Sequence, residues 1–105
     1  MKKFRIFRGD TFFRKIVSEH YKFKIGDKLH IAILKSAYSK EYIHEEMIEI
    51  KKETNEVILE IFPEITSTLP IRNLMLEIEL TTIDGMVKTN QYGLEVEADG
   101  IYERN

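Results

Sequence analysis

The chain has no cysteine and no tryptophan, and only two prolines and five glycines in 105 residues. Without cysteine there is no disulfide framework, thiolate nucleophile or thiolate metal site. Without tryptophan the core must be filled by Ile, Leu, Phe and Tyr. No apolar run approaches the roughly 18 residues of a membrane-crossing helix. The opening MKKFRIFRGD has basic residues but lacks the apolar run of a secretory signal behind them. No Gly-rich phosphate loop, nucleophile elbow or Ser/His/Asp spacing is present. The expectation is a soluble, non-enzymatic protein with no cofactor, no small-molecule substrate and no membrane contact, and no catalytic, cofactor-binding or metal-binding residue is assigned.

A chain of this length makes one domain, residues 1–105, and buries roughly two thirds of its unfolded surface. Leu74, Leu76, Ile78 and Leu80 alternate with Met75, Glu77, Glu79 and Thr81. That period of two gives a strand with one dry and one wet face. Asp84-Gly85 follows, then a second extended run, which predicts a hairpin over Leu74–Ile83 and Met86–Gln91 with a two-residue type I′ turn. In that register Lys88 lies diagonal to Glu79. Tyr92-Gly93 reads as a bulge or kink before a last strand around Leu94–Val96, which Asp99-Gly100 closes.

Further extended runs precede it: residues 3–8, Thr11–Val17, Leu29–Leu34 and Val57–Ile61, the last ended by Pro63. Leu29–Leu34 is apolar on both faces, as a central, covered strand is. Residues 36–50 fit either a helical stripe (Tyr38, Tyr42, Ile43, Met47, Ile50) or a loop followed by a strand over 46–50. Glu41, Glu45 and Glu49 would repel on one helix face, so loop and strand are favoured. Leu69 is expected to plug the end of the core. Seven or eight short strands with turns every eight to twelve residues predict an all-β antiparallel β-sandwich or small barrel. The expected core is Phe4, Ile6, Ile31, Ile33, Leu59, Ile61, Leu76, Ile78, Leu80, Leu94 and Val96.

Charge is unevenly spread. Residues 1–52 carry 13 Lys+Arg and 7 Asp+Glu, whereas residues 53–105 carry 3 and 11. Opposite charges on early and late strands can pair across a sandwich, and a basic patch on one copy can meet an acidic patch on the next.

Four groups of residues invite a functional reading. Arg8-Gly9-Asp10 spells an adhesion tripeptide; a bend at Gly9, with Asp10 accepting local backbone donors, accounts for it better. His20, His30 and His44 lack helical metal-site spacing and read as surface imidazoles. Glu77, Glu79, Glu95 and Glu97 could bind a cation or act as acid and base, but alternate with core residues as on any half-exposed strand. The basic, aromatic start (Lys2, Lys3, Phe4, Arg5, Phe7, Arg8, Phe12, Phe13, Arg14, Lys15) could stack single-stranded nucleic acid. Against this, Phe12 and Phe13 face opposite ways, so one belongs to the core. Nucleic acid is not an expected partner.

RGDTF at 8–12, IGDKLHIAILKS at 25–36, LEIFPEITSTL at 59–69 and LEIELTTIDGMVKTNQYGLEVEADG at 76–100 together resemble one family. It is the immunoglobulin-like domain at the N-terminus of baseplate upper proteins of tailed phages of Gram-positive bacteria; residues 37–56 match it poorly. The resemblance implies an immunoglobulin-like β-sandwich of seven or eight strands. It also implies a phage or prophage structural protein of tail or baseplate type, acting by assembly with other phage tail proteins and as a homo-oligomer. Its place would be the cytoplasm of the bacterial host or a virion. Family members usually continue into a large C-terminal part and this sequence stops at Asn105, so a small tail or neck component is expected rather than a host-receptor protein. The alternatives are a single-stranded nucleic-acid-binding barrel and a surface carbohydrate- or protein-binding module.

Overall fold

A computed structural model describes residues 2–36, 38–39 and 41–98. The chain is an all-β sandwich, with seven strands and one short helix among the described residues. The elements are β1 (Lys3–Phe7), β2 (Phe12–Val17), β3 (Lys28–Leu34), β4 (Tyr42–Glu49), β5 (Glu56–Ile61), α1 (Pro63–Thr66), β6 (Asn73–Thr81) and β7 (Val87–Glu97). Five strands form one sheet in the order β1-β7-β6-β3-β4, and β2 and β5 form a second. β1 runs parallel to β7, with Phe4 opposite Leu94 and Ile6 opposite Val96; the other pairings are antiparallel. The expected closing turn at Asp99-Gly100 lies outside the described residues.

Period-two patterning sets the layers. Leu29, Ile31 and Ile33 of β3 meet Leu76, Ile78 and Leu80 of β6 and Leu94 and Val96 of β7 on the inner face. Phe12 of β2 and Val57, Leu59 and Ile61 of β5 cover them from the second sheet, and Leu69 closes one end. Of the expected core, Phe4 and Leu80 are only half-buried. β3 is apolar on both faces because Ala32 and Leu34 pack with Met75 on the outer side, a second small buried cluster.

Several sequence-based expectations need correction. The β6–β7 hairpin closes with three loop residues, Ile83, Asp84 and Gly85, between the paired Thr82 and Met86. Gly85 N–H donates to Thr82 O (3.0 Å), and only Gly85 has positive φ (91°) there, which excludes type I′. The extra loop residue moves the register by one, turning Lys88 to the inner face opposite Leu80 and placing Thr89 against Glu79 (3.3 Å). No break occurs at Tyr92-Gly93: β7 runs unbroken for 11 residues, and the Lys3 stem of β1 lies over Gly93. β4 is eight residues long, not confined to 46–50. It holds a bulge at Ile43, where Ile33 pairs with His44 and Leu34 with Tyr42. Pro63 ends β5 by starting α1 at its first turn.

Candidate binding surface along the open seam of the sandwich

Two strands cannot roof five. On the β1–β7 side the inner face is left partly open, and a seam runs between β2 and β7. Its larger part has a volume of about 320 Å³, lined by Ile16, Tyr21, Phe23, Leu29, Ile78, Leu80, Lys88, Asn90 and Tyr92 together with residues 17–20. A second part of about 210 Å³ continues past Ile16, Val17, Ile78 and Tyr92 to Lys2, Phe4, Arg14, Lys15 and Leu59. The floor is apolar and the rim cationic: Lys2, Arg14, Lys15 and Lys88 surround it, and among the described residues Glu19 is the one carboxylate of the lining. Among the described residues no ion pair uses Lys2, Arg14 or Lys88.

The aromatic start of the chain sits at this seam, already occupied by its own cations. Lys2 Nζ lies 5.6 Å from the Phe4 ring centre, and the Arg14 guanidinium lies 5.5 Å from Phe4 and 4.9 Å from Phe12. Phe4 also packs on Phe12 (5.9 Å, edge-on) and Tyr92 (5.4 Å). Phe12 is buried and Phe13 is half-exposed, as adjacent residues of a strand require.

At the far end of the seam a buried carboxylate ties two segments together. Asp27 Oδ2 accepts from the Tyr21 hydroxyl (2.6 Å) and the Lys24 N–H (2.9 Å), and Oδ1 accepts from the Ile83 N–H (3.1 Å). Its side chain therefore pins the 21–27 loop to the β6–β7 turn. Burial pushes the Asp27 carboxyl up most strongly, but the Lys24 amide, Tyr21 hydroxyl, Ile83 amide and Lys24 charge together hold it below its ordinary value. The same hydrogen bond, then desolvation and the charges of Asp27 and Asp84, push Tyr21 up to about 12. Asp84 is held low, first by the Thr82 hydroxyl that donates to it and against some desolvation. Sequence reasoning missed this knot. Ile25-Gly26-Asp27-Lys28 reads as a turn, and nothing in a turn aspartate signals burial.

The residues singled out from sequence are placed apart. In Arg8-Gly9-Asp10, Gly9 makes the bend (φ 92°). Asp10 contributes main chain: its N–H donates to Phe7 O (3.1 Å), and its carbonyl accepts from the Thr66 hydroxyl (2.7 Å). His30 pairs with Glu45 (2.8 Å) on the outer face of the large sheet, and His44 with Glu46 (2.9 Å) on the inner face, while His20 lines the seam. Glu77 and Glu79 accept from Gln91 and Thr89, and Glu95 and Glu97 face Arg5, so the four glutamates form two separate pairs. Among the described residues no group of three or more His, Asp or Glu is placed to hold a metal ion, and no helix is long and apolar enough to cross a membrane.

The chemistry on offer is therefore recognition of an extended or apolar surface by a cationic, strand-edged groove. Compared with protein-family models, curated proteins and solved structures, the chain matches none.

Proposed function

We propose that the protein is a non-enzymatic assembly module, a phage or prophage structural domain of tail or baseplate type with an immunoglobulin-like sandwich, that docks other virion proteins through its sheet edges. The observation that carries this reading is the mismatch between the two layers. Among the described residues, a two-stranded sheet with two unpaired edges lies over a five-stranded one and leaves an apolar seam beside it. Unpaired strand edges accept partner strands. The outer face of the small sheet adds half-exposed Phe13, Val17 and Ile58. The order of turn motifs along the chain supports the phage assignment.

The rings of Phe4 and Phe12 are covered by lysine, arginine and one another, which disfavours base stacking and hence the nucleic-acid alternative. Co-expression with each protein encoded beside its gene tests the proposal. A stoichiometric complex with a virion component, measured by light scattering after size exclusion, is the expected result. Tight, steeply salt-dependent binding of short single strands with no protein complex would overturn it.

A further inference from the structure

The free edges of β2 and β4, on opposite sides of the molecule, carry opposite charge, and their backbone groups can be assigned. Ser18 N–H donates to Asn55 O (2.8 Å). By the alternation of antiparallel ladders, the even residues of β2 thus face β5, and the backbone groups of Phe13, Lys15 and Val17 face outward. Arg14 reaches this edge and donates to Phe13 O (2.7 Å). At the other margin, Ile50 N–H donates to Asp27 O (2.9 Å), so 44, 46 and 48 face β3 while Glu45, Met47 and Glu49 present their backbone outward. The β2 edge lies beside β1 and β7, and β4 is the opposite margin of the five-stranded sheet.

From these two edges we infer that the protein assembles head to tail, the free edge of β2 in one copy pairing antiparallel with the free edge of β4 in the next. The occupant of the β2 edge is thus a second copy of this chain, an interface that rests on the assembly reading above.

One register satisfies both edges. It sets Phe13 opposite Met47, Arg14 opposite Glu46 and Lys15 opposite Glu45, with Phe12 opposite Ile48. Opposed residues share a face, so the half-exposed Phe13 and the exposed Met47 (60%) cover each other while the cations meet carboxylates. A slip of two residues sets Phe13 against Glu45 or Glu49 and leaves Lys15 facing Ile43 or Met47; a slip of one turns the wrong backbone groups inward. The glutamates can accept: His30 holds Oε2 of Glu45 and His44 holds Oε1 of Glu46, leaving one oxygen of each. Arg14 must release the Phe13 carbonyl, which the incoming strand then takes over. The contact joins unlike surfaces, so it propagates into a ring or filament.

Sedimentation velocity of the purified chain over a range of concentrations, at low and high salt, tests the interface. The wild-type chain is expected to associate with concentration and to dissociate with salt. Arg14→Glu/Lys15→Glu and Glu45→Lys/Glu46→Lys are each expected to weaken association about 100-fold or more, and an equimolar mixture of the two to associate again.

A second measurement uses the cysteine-free sequence. Oxidised Phe13→Cys/Met47→Cys should give a ladder of disulfide-linked copies, because opposed residues lie about 5.5 Å apart at Cα; Phe13→Cys/Glu49→Cys should not. Association untouched by the reversals, a mixture that stays monomeric, or equal cross-linking by both cysteine pairs overturns the interface. A wild-type chain that is monomeric throughout also overturns it. If that monomer still forms a complex with a virion protein, the assembly reading stands without it; if not, both fall.

Discussion

Asp27 is the residue on which most depends. It is fully buried and accepts three hydrogen bonds from two segments. Asp27→Ala leaves an amide at Ile83, an amide at Lys24 and the Tyr21 hydroxyl without their acceptor, and is expected to cost about 2–4 kcal/mol in chemical denaturation. The pH dependence has two limbs. Asp27 is held below its ordinary 3.8, so its contribution is fully present above that value and is lost as pH falls through the lower folded one. Tyr21 is raised from 10.0 to about 12, so its contribution is fully present below pH 10.0 and is lost as pH rises through about 12. Ultraviolet titration of tyrosinate should reveal a transition at about 12 that Tyr21→Phe lacks. If the transition that the variant removes lies at the ordinary 10.0, the hydrogen bond to Asp27 does not hold in solution.

At the scale of elements, what could be read from sequence was whatever period two controls. The inner faces of β3, β6 and β7 follow directly from alternating Leu, Ile and Val. The register of the β6–β7 hairpin did not, because Asp84-Gly85 serves a three-residue loop as well as a two-residue one, and the two choices differ in which face Lys88 takes. The parallel β1–β7 pair was equally hidden: a strand carries no sign of its partner's direction. The seam was invisible too, since it arises from the unequal number of strands in the two sheets.

Turn geometry makes a quantitative comparison possible. Gly26 (φ 96°) and Gly85 (φ 91°) share a left-handed backbone. A Cβ at Gly26 would lie 2.7 Å from Ile83 Cγ2, whereas one at Gly85 would meet nothing within 4 Å. Gly85→Ala should therefore cost about 1 kcal/mol, from backbone strain alone. Gly26→Ala should cost clearly more, since it also pushes on the turn that Asp27 anchors. Equal losses in urea titrations would contradict this geometry.

The sandwich as a whole is stabilised unevenly, and the same asymmetry that opens the seam bears on how it moves. β3, β6 and β7 are paired on both sides, and the amides that bond among these three are released only when the large sheet comes apart. β2 and β5 have one neighbour each. Local side chains answer part of the exposed edge: Thr54 Oγ1 accepts from Glu56 N–H and donates to Glu56 O (both 3.1 Å), and Arg14 covers Phe13 O. Yet β2 and β5 bring Phe12, Val57, Leu59 and Ile61 to the core, so lifting them exposes apolar surface. Their opening is a costly sub-global event rather than fraying.

Native-state hydrogen exchange in increasing denaturant, at concentrations below any self-association, should resolve two tiers. The amides of Ala32 and Leu34, which face β6, and of Leu76 and Ile78, which face β7, should exchange only through global unfolding. Those of Phe12, Arg14, Val57 and Leu59 should exchange through a cheaper opening with a smaller denaturant dependence. Raising the concentration of a chain that self-associates through β2 should then slow Phe13, Lys15 and Val17, whose amides point to the free edge, before any residue of β3. A single tier across both sheets would mean that the small sheet is locked to the large one, and that β2 gives up nothing when it binds.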